Sequence, residues 1–168
     1  MALELELVDQ MPSNAADSSF PDDPKKAKPP NESPASAAYS EIKSIILDVP
    51  IGDVYACCCR VEESPRFIKS LRDVQKIDDT HFLLTYLIDN EPRRTVLQII
   101  LRVPERRLAW QAISLHFPRG VILFEPLSDQ RTEITIQLFS NIEPAKLGTI
   151  TRDYLISFKR FVERGATT

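Results

Sequence analysis

The sequence predicts an α+β fold: a curved antiparallel sheet of about seven strands wrapped around a long C-terminal helix, with two short helices after the first strand. Three observations carry this. From Leu71 to Asn141, strand-like runs are separated by breaks of a few residues, whereas a parallel crossover needs roughly a dozen or more. Within the runs, apolar and polar residues alternate. Leu97, Ile99, Leu101 and Val103 share one side against Gln98 and Arg102, and Ile134, Ile136 and Leu138 oppose Glu133, Thr135 and Gln137. That pattern belongs to a sheet with one dry face and one wet face. Finally, Leu147, Ile150, Tyr154, Phe158 and Phe161 are spaced 3, 4, 4 and 3 apart, a stripe of helical period. From Lys146 to Glu163 such a helix is about 27 Å long at 1.5 Å per residue, enough to cross several strands.

Taken in order, residues 1–40 read as an acidic, Pro-rich, disordered tail. They hold six prolines between Pro12 and Pro34 and only two aromatics, Phe20 and Tyr39, too little apolar surface to offset chain entropy. Leu3, Leu5 and Leu7 alternate with Glu4 and Glu6, a pattern able to add a strand to a sheet edge or a partner. Residues 41–165 form the expected domain. Its first strand runs from Ile42 to Val49 and stops at Pro50; Asp53 is then a plausible N-cap for a helix over VYACCCRVEE. Pro65 suits the first turn of a second helix, PRFIKSL. The strands that follow are Leu71 to Ile77, His81 to Ile88, Arg93 to Val103, Arg107 to Leu115, Val121 to Leu127 and Arg131 to Asn141.

Charge and composition exclude several functions. The tail carries seven acids against three lysines, and its −4 against −3 for the whole chain leaves about +1 on the domain. That is no basic footprint, so nucleic acid is not an expected partner. The N-terminus places acids where a secretion signal needs positive charge, and no segment approaches an uninterrupted apolar run long enough to span a bilayer. Cys57, Cys58 and Cys59 are consecutive, too close for ordinary disulfides with one another, which fits a reducing compartment. The expected location is therefore the cytoplasm, with peripheral membrane contact left open.

The order of strand, short helices, six-strand meander and long helix is that of the helix-grip fold. At this point the residues also resemble the START-like (SRPBCC) superfamily, in its polyketide cyclase/dehydrase and coenzyme Q-binding branch. The likeness is carried by the Pro50 turn before DVYACC, then SPRFIKSLRDVQKIDDTHF, VPERRLAWQA, GVILFEPLSDQRTEITIQL and YLISFKRFVE, and it spans Ile42 to Arg164. The resemblance implies a cavity between sheet and C-terminal helix that carries an apolar small molecule: a lipid, a quinone or a polyketide-like aromatic. It implies one alternative as well, a cyclase or dehydratase enzyme, and the length of the acidic, Pro-rich tail supports another, an accessory subunit whose tail docks onto a protein partner.

The candidate ligand-binding residues are Tyr86, Trp110, His116, Phe124, Tyr154, Phe158 and Phe161, with the Trp N–H and Tyr O–H groups as orienting donors. His81 and His116 stand at strand edges, and no spacing suits zinc, so neither a metal nor a cofactor is expected. On a helix the three cysteines point about 100° apart and cannot converge on one ion. Glu62-Glu63 and Asp78-Asp79 fall at helix ends or turns, where acids are simply solvated. Arg93-Arg94 and Arg106-Arg107, each at a strand start, are read as solvated strand ends, the alternative being a small basic rim at one end of the meander.

Overall fold

The computed structural model describes residues 37–114 and 117–167. Residues 1–36 of the expected tail, with the Leu3, Leu5, Leu7 alternation and the protein-docking role, lie outside that description, as does His116, whereas Tyr39 and Ser40, also counted in the tail, belong to the first strand. The elements are β1 (Tyr39–Leu47), α1 (Ile51–Cys59), a 3₁₀ helix (Val61–Arg66), β2 (Leu71–Lys76), β3 (His81–Ile88), β4 (Glu91–Val103), β5 (Arg107–Ala112), β6 (Arg119–Ser128), β7 (Arg131–Ser140) and α2 (Pro144–Thr167).

All seven strands form one antiparallel sheet in the order β1-β7-β6-β5-β4-β3-β2. Six of them are a meander, and β1 closes the long way round by pairing with β7 from Tyr39↔Ser140 to Leu47↔Thr132. The inward face is apolar because alternate residues point to it: Phe82, Leu84 and Tyr86 on β3, Ile122 and Phe124 on β6, and Ile134, Ile136 and Leu138 on β7 are all buried. The corner after β1 is fixed by the buried Thr132 hydroxyl, which donates to the Val49 carbonyl at 2.8 Å.

Local departures from the expected pattern have physical causes. Asp53 does not cap α1. Pro50 holds that position in an extended conformation and its carbonyl receives the Asp53 and Val54 N–H groups, leaving Asp53 in the first turn. The second short helix is a 3₁₀ segment that starts before Pro65 and stops at Arg66, so Phe67 and Ile68 lie in a turn. Strand β4 starts at Glu91 rather than Arg93. Asp89 and Asn90 both adopt left-handed backbone (φ 53 and 67), the geometry of a two-residue hairpin turn, and Ile88 then pairs directly with Glu91. The register of β4 slips between Ile99 and Leu101. Past that bulge the alternation fails, and Val103 is exposed instead of sharing the side of Leu97 and Ile99. Finally, β4 and β5 are antiparallel, so Arg93-Arg94 and Arg106-Arg107 sit at opposite ends of the sheet, about 30 Å apart at strand rise, and form no common rim.

Helix α2 has 24 residues. Its dry stripe is Leu147, Thr151, Leu155, Phe158 and Val162, one position round from much of the expected stripe. Ile150, Tyr154 and Phe161 flank it and are only half-buried. The reason is where the helix lies: its main partner in the sheet is β1, with lesser contact to β7, so its dry stripe faces that side while the flanking row looks toward the middle strands. The helix lies close to β1 at Gly148, where an added Cβ would come into ordinary contact with the Glu41 carboxylate at 3.7 Å. At its far end the Lys159 ammonium donates to the Ile46 carbonyl at 2.7 Å and to Glu163, which also receives the Asp48 N–H at 2.9 Å.

Candidate functional site: a cavity between sheet and helix

Because α2 leans on β1 and β7, the inward face of the middle strands is left uncovered. A cavity of about 1210 Å³ occupies the gap. Its floor is aliphatic, made by Leu84, Leu97, Ile99, Leu108, Ile122 and Ile136 from five adjacent strands. The opposite wall comes from Cys58 of α1, Val61 and Ser64 of the 3₁₀ helix, Phe67 and Ile68 of the turn, and the Ile150, Tyr154 and Ser157 row of α2.

The expected ligand-binding residues divide by position. Tyr86, Trp110 and Tyr154 line the cavity. Phe124 faces inward but stands under α1, where Tyr55 packs edge-on against it at 5.3 Å, so that end of the concave face is already filled. Phe158 is fully buried beneath the helix. Phe161 packs on Phe67 at 5.0 Å. His116 lies outside the described residues.

The polar handles divide in the same way. Trp110 is not an available donor, because its indole N–H is given to the Pro118 carbonyl at 3.0 Å. The Tyr86 hydroxyl is 3.2 Å from Ser114 Oγ, and its ring meets Phe117 edge-on at 5.2 Å. Tyr154 differs, for among the described residues its hydroxyl has no hydrogen-bond partner. Burial, with the Cys58 and Cys57 thiols contributing after it, pushes the Tyr154 phenol well above its usual range, so it stays protonated and keeps its donor. Burial likewise raises the Cys58 thiol well above the ordinary thiol range, which leaves it a poor nucleophile.

Sequence reasoning passed over Phe67. It contacts Tyr154, Phe158 and Phe161 with ring centroids 5.8, 5.4 and 5.0 Å away, and so ties the turn after the 3₁₀ helix to α2. Its signal, an aromatic two residues after a proline, was read as part of a helix. Among the described residues no group of His, Cys, Asp and Glu is placed to hold a metal ion, and no helix is long and apolar enough to cross a membrane.

Comparison with known proteins gives the fold a name. A START superfamily protein from Mycobacterium smegmatis superposes with a TM-score of 0.60 at 12% identity, covering 74% of this chain and 97% of that one. An aromatase/cyclase from a Streptomyces species gives 0.61 at 11% identity over 77% and 93% of the two chains. A Deinococcus radiodurans protein gives 0.60 at 22% identity over 76% and 99%. No family model and no curated protein matches the chain. The chain has the START-like helix-grip fold, and likeness at these identities extends to the fold alone.

Proposed function

We propose that the protein binds and carries an apolar small molecule in the cavity between the sheet and α2. The observation that carries the reading is the cavity's size set against the chemistry of its walls. The space, about 1210 Å³ and open to solvent at its mouth, is far larger than the voids of a close-packed core, so water enters it when no ligand is bound. Water facing six aliphatic side chains finds few hydrogen-bond partners, so an apolar ligand that displaces it gains about 25 cal/mol per Å² of surface buried. Tyr154 supplies one orienting donor, suited to a carbonyl or hydroxyl oxygen of the ligand.

Carriage is favoured over turnover by the same groups. A phenol held far above neutral pKa exchanges its proton poorly, and the carboxylates of the cavity lining, Asp89, Glu143 and Asp153, are all exposed to solvent. The three free cysteines support a reducing compartment as the place of work. Native mass spectrometry of gently purified protein tests the proposal. A stoichiometric apolar adduct lost on organic extraction is expected; protein that carries no adduct and takes up no apolar compound offered to it would refute the reading.

A further inference from the structure

The charged groups around the cavity are unevenly placed. The aliphatic floor offers no polar atom, and every cation of the lining stands on the other wall: Lys69 after the 3₁₀ helix, and Lys146, Arg152 and Arg160 on α2. Arg152 is engaged with Asp153 at 3.3 Å. Among the described residues Lys69, Lys146 and Arg160 have no carboxylate at ion-pair distance.

Two of these cations neighbour, along the chain, an aromatic contact between the turn and α2. Phe67 rests on Phe161 at 5.0 Å, and the Arg66 guanidinium sits over the Phe161 ring at 5.1 Å. The segments that carry Lys69 and Arg160 therefore meet along a seam at Phe67 and Phe161, with Arg66 on it, and both cations line the cavity. Of the acids of the lining, Glu143 stands just before α2 and Asp153 pairs with Arg152, while Asp89, at the β3–β4 turn, lies near Lys69 in register, since the Leu87 N–H donates to the Ser70 carbonyl, but forms no ion pair with it. A neutral hydrocarbon would give such a seam nothing to bind.

We infer that the ligand is an amphiphile whose largely hydrocarbon body, with any oxygen it carries met by Tyr154, lies on the aliphatic floor, and whose anionic head, the carboxylate of a long-chain acid, is held at the mouth by Lys69 and Arg160. This rests on the cavity-binding reading and narrows it. A head at the mouth keeps part of its hydration and avoids the cost of burying a charge. The apolar wall beside it lowers the local dielectric and strengthens the attraction, and a guanidinium offers two parallel N–H bonds to a carboxylate.

Calorimetric titration of the full chain with palmitate and with methyl palmitate tests this, using the wild type and the double variant K69E/R160E at low salt and at about 0.5 M salt. Both substituted residues are exposed, so an unchanged melting temperature is expected. The acid should bind about tenfold more tightly than its ester, with the advantage shrinking in salt and lost in the double variant while ester binding is unaltered. An ester that binds as tightly as the acid, or an acid advantage that survives K69E/R160E, overturns the inference. So does failure of both lipids to bind when a neutral dye does; if the dye fails too, it is the cavity reading that has fallen, not the head-group assignment alone.

Discussion

Trp110 and Gly120 face each other across β5 and β6, and the indole lies where a side chain on Gly120 would be. A Cβ built at Gly120 meets Trp110 Cζ2 at 2.9 Å, Leu138 Cδ2 at 2.8 Å and the Gln137 carbonyl oxygen at 2.7 Å. One of those contacts is with backbone, so the neighbours cannot all yield by rotating. Gly120→Ala is expected to destabilise the fold by about 1–3 kcal/mol in chemical denaturation, the usual cost of overpacking. It should also move the Trp110 emission, since the displaced indole loses its bond to Pro118.

The β2–β3 turn predicts an acid-sensitive step. Asp78 Oδ1 accepts the Thr80 and His81 N–H groups, each at 2.8 Å, and stands 3.0 Å from His81 Nδ1. These bonds, the Thr80 backbone first, hold the carboxyl at about 2 rather than 3.8. A depressed carboxylate stabilises the fold above its unfolded pKa and loses that contribution as pH falls through the folded value. Asp78→Asn should therefore lower stability at neutral pH and flatten its dependence on pH between about 4 and 2, read by melting temperature against pH.

The far end of α2 is clasped to β1 by polar groups rather than by packing alone. Lys159 serves both the Ile46 carbonyl and Glu163, and Glu163 receives the Asp48 N–H. Because the pair is partly solvated, Lys159→Met is expected to cost about 1 kcal/mol, measured by urea denaturation. Hydrogen exchange should rise first in the last turns of α2.

Much of this architecture is legible in the residues, and the failures are local. Strand β3 has the bounds that the turn residues on either side give, His81 to Ile88. The inward face of β7 is likewise readable, because Ile134, Ile136 and Leu138 pack on one side without interruption. The bulge at Ile100 leaves no mark in an apolar run, so nothing in IILRV shows that Val103 turns outward. The stripe on α2 was misplaced by one position because Thr151 counts as polar in a sequence. In the structure its hydroxyl is satisfied inside the helix by the Leu147 carbonyl at 2.8 Å, and it buries like an aliphatic residue. Aromatic residues were assigned to the site by size. Tyr86, Trp110 and Tyr154 do line the cavity, whereas Phe124 and Phe158 fill the core beside it, and only the placement of α1 and α2 separates the two groups.

Tyr154→Phe separates orientation from burial. No hydrogen bond is lost in the free protein, so stability should change by less than about 0.5 kcal/mol. A ligand bearing a carbonyl should bind more weakly by about 1 kcal/mol, roughly fivefold, while a pure hydrocarbon should bind as before. Paired titrations of the two ligand types read the difference.

The most direct test of the open cavity is titration with a neutral apolar dye such as Nile red, on the wild type and on Leu97→Trp. Leu97 stands on the floor between Phe82 of β3 and the small Ala112 of β5, so an indole there has room on the Ala112 side and projects into the space. The account predicts one dye per chain for the wild type, and for Leu97→Trp a melting temperature close to the wild type with binding weakened at least about tenfold. Dye that binds both proteins equally, or a Leu97→Trp chain that cannot fold because no room exists for the indole, would contradict it.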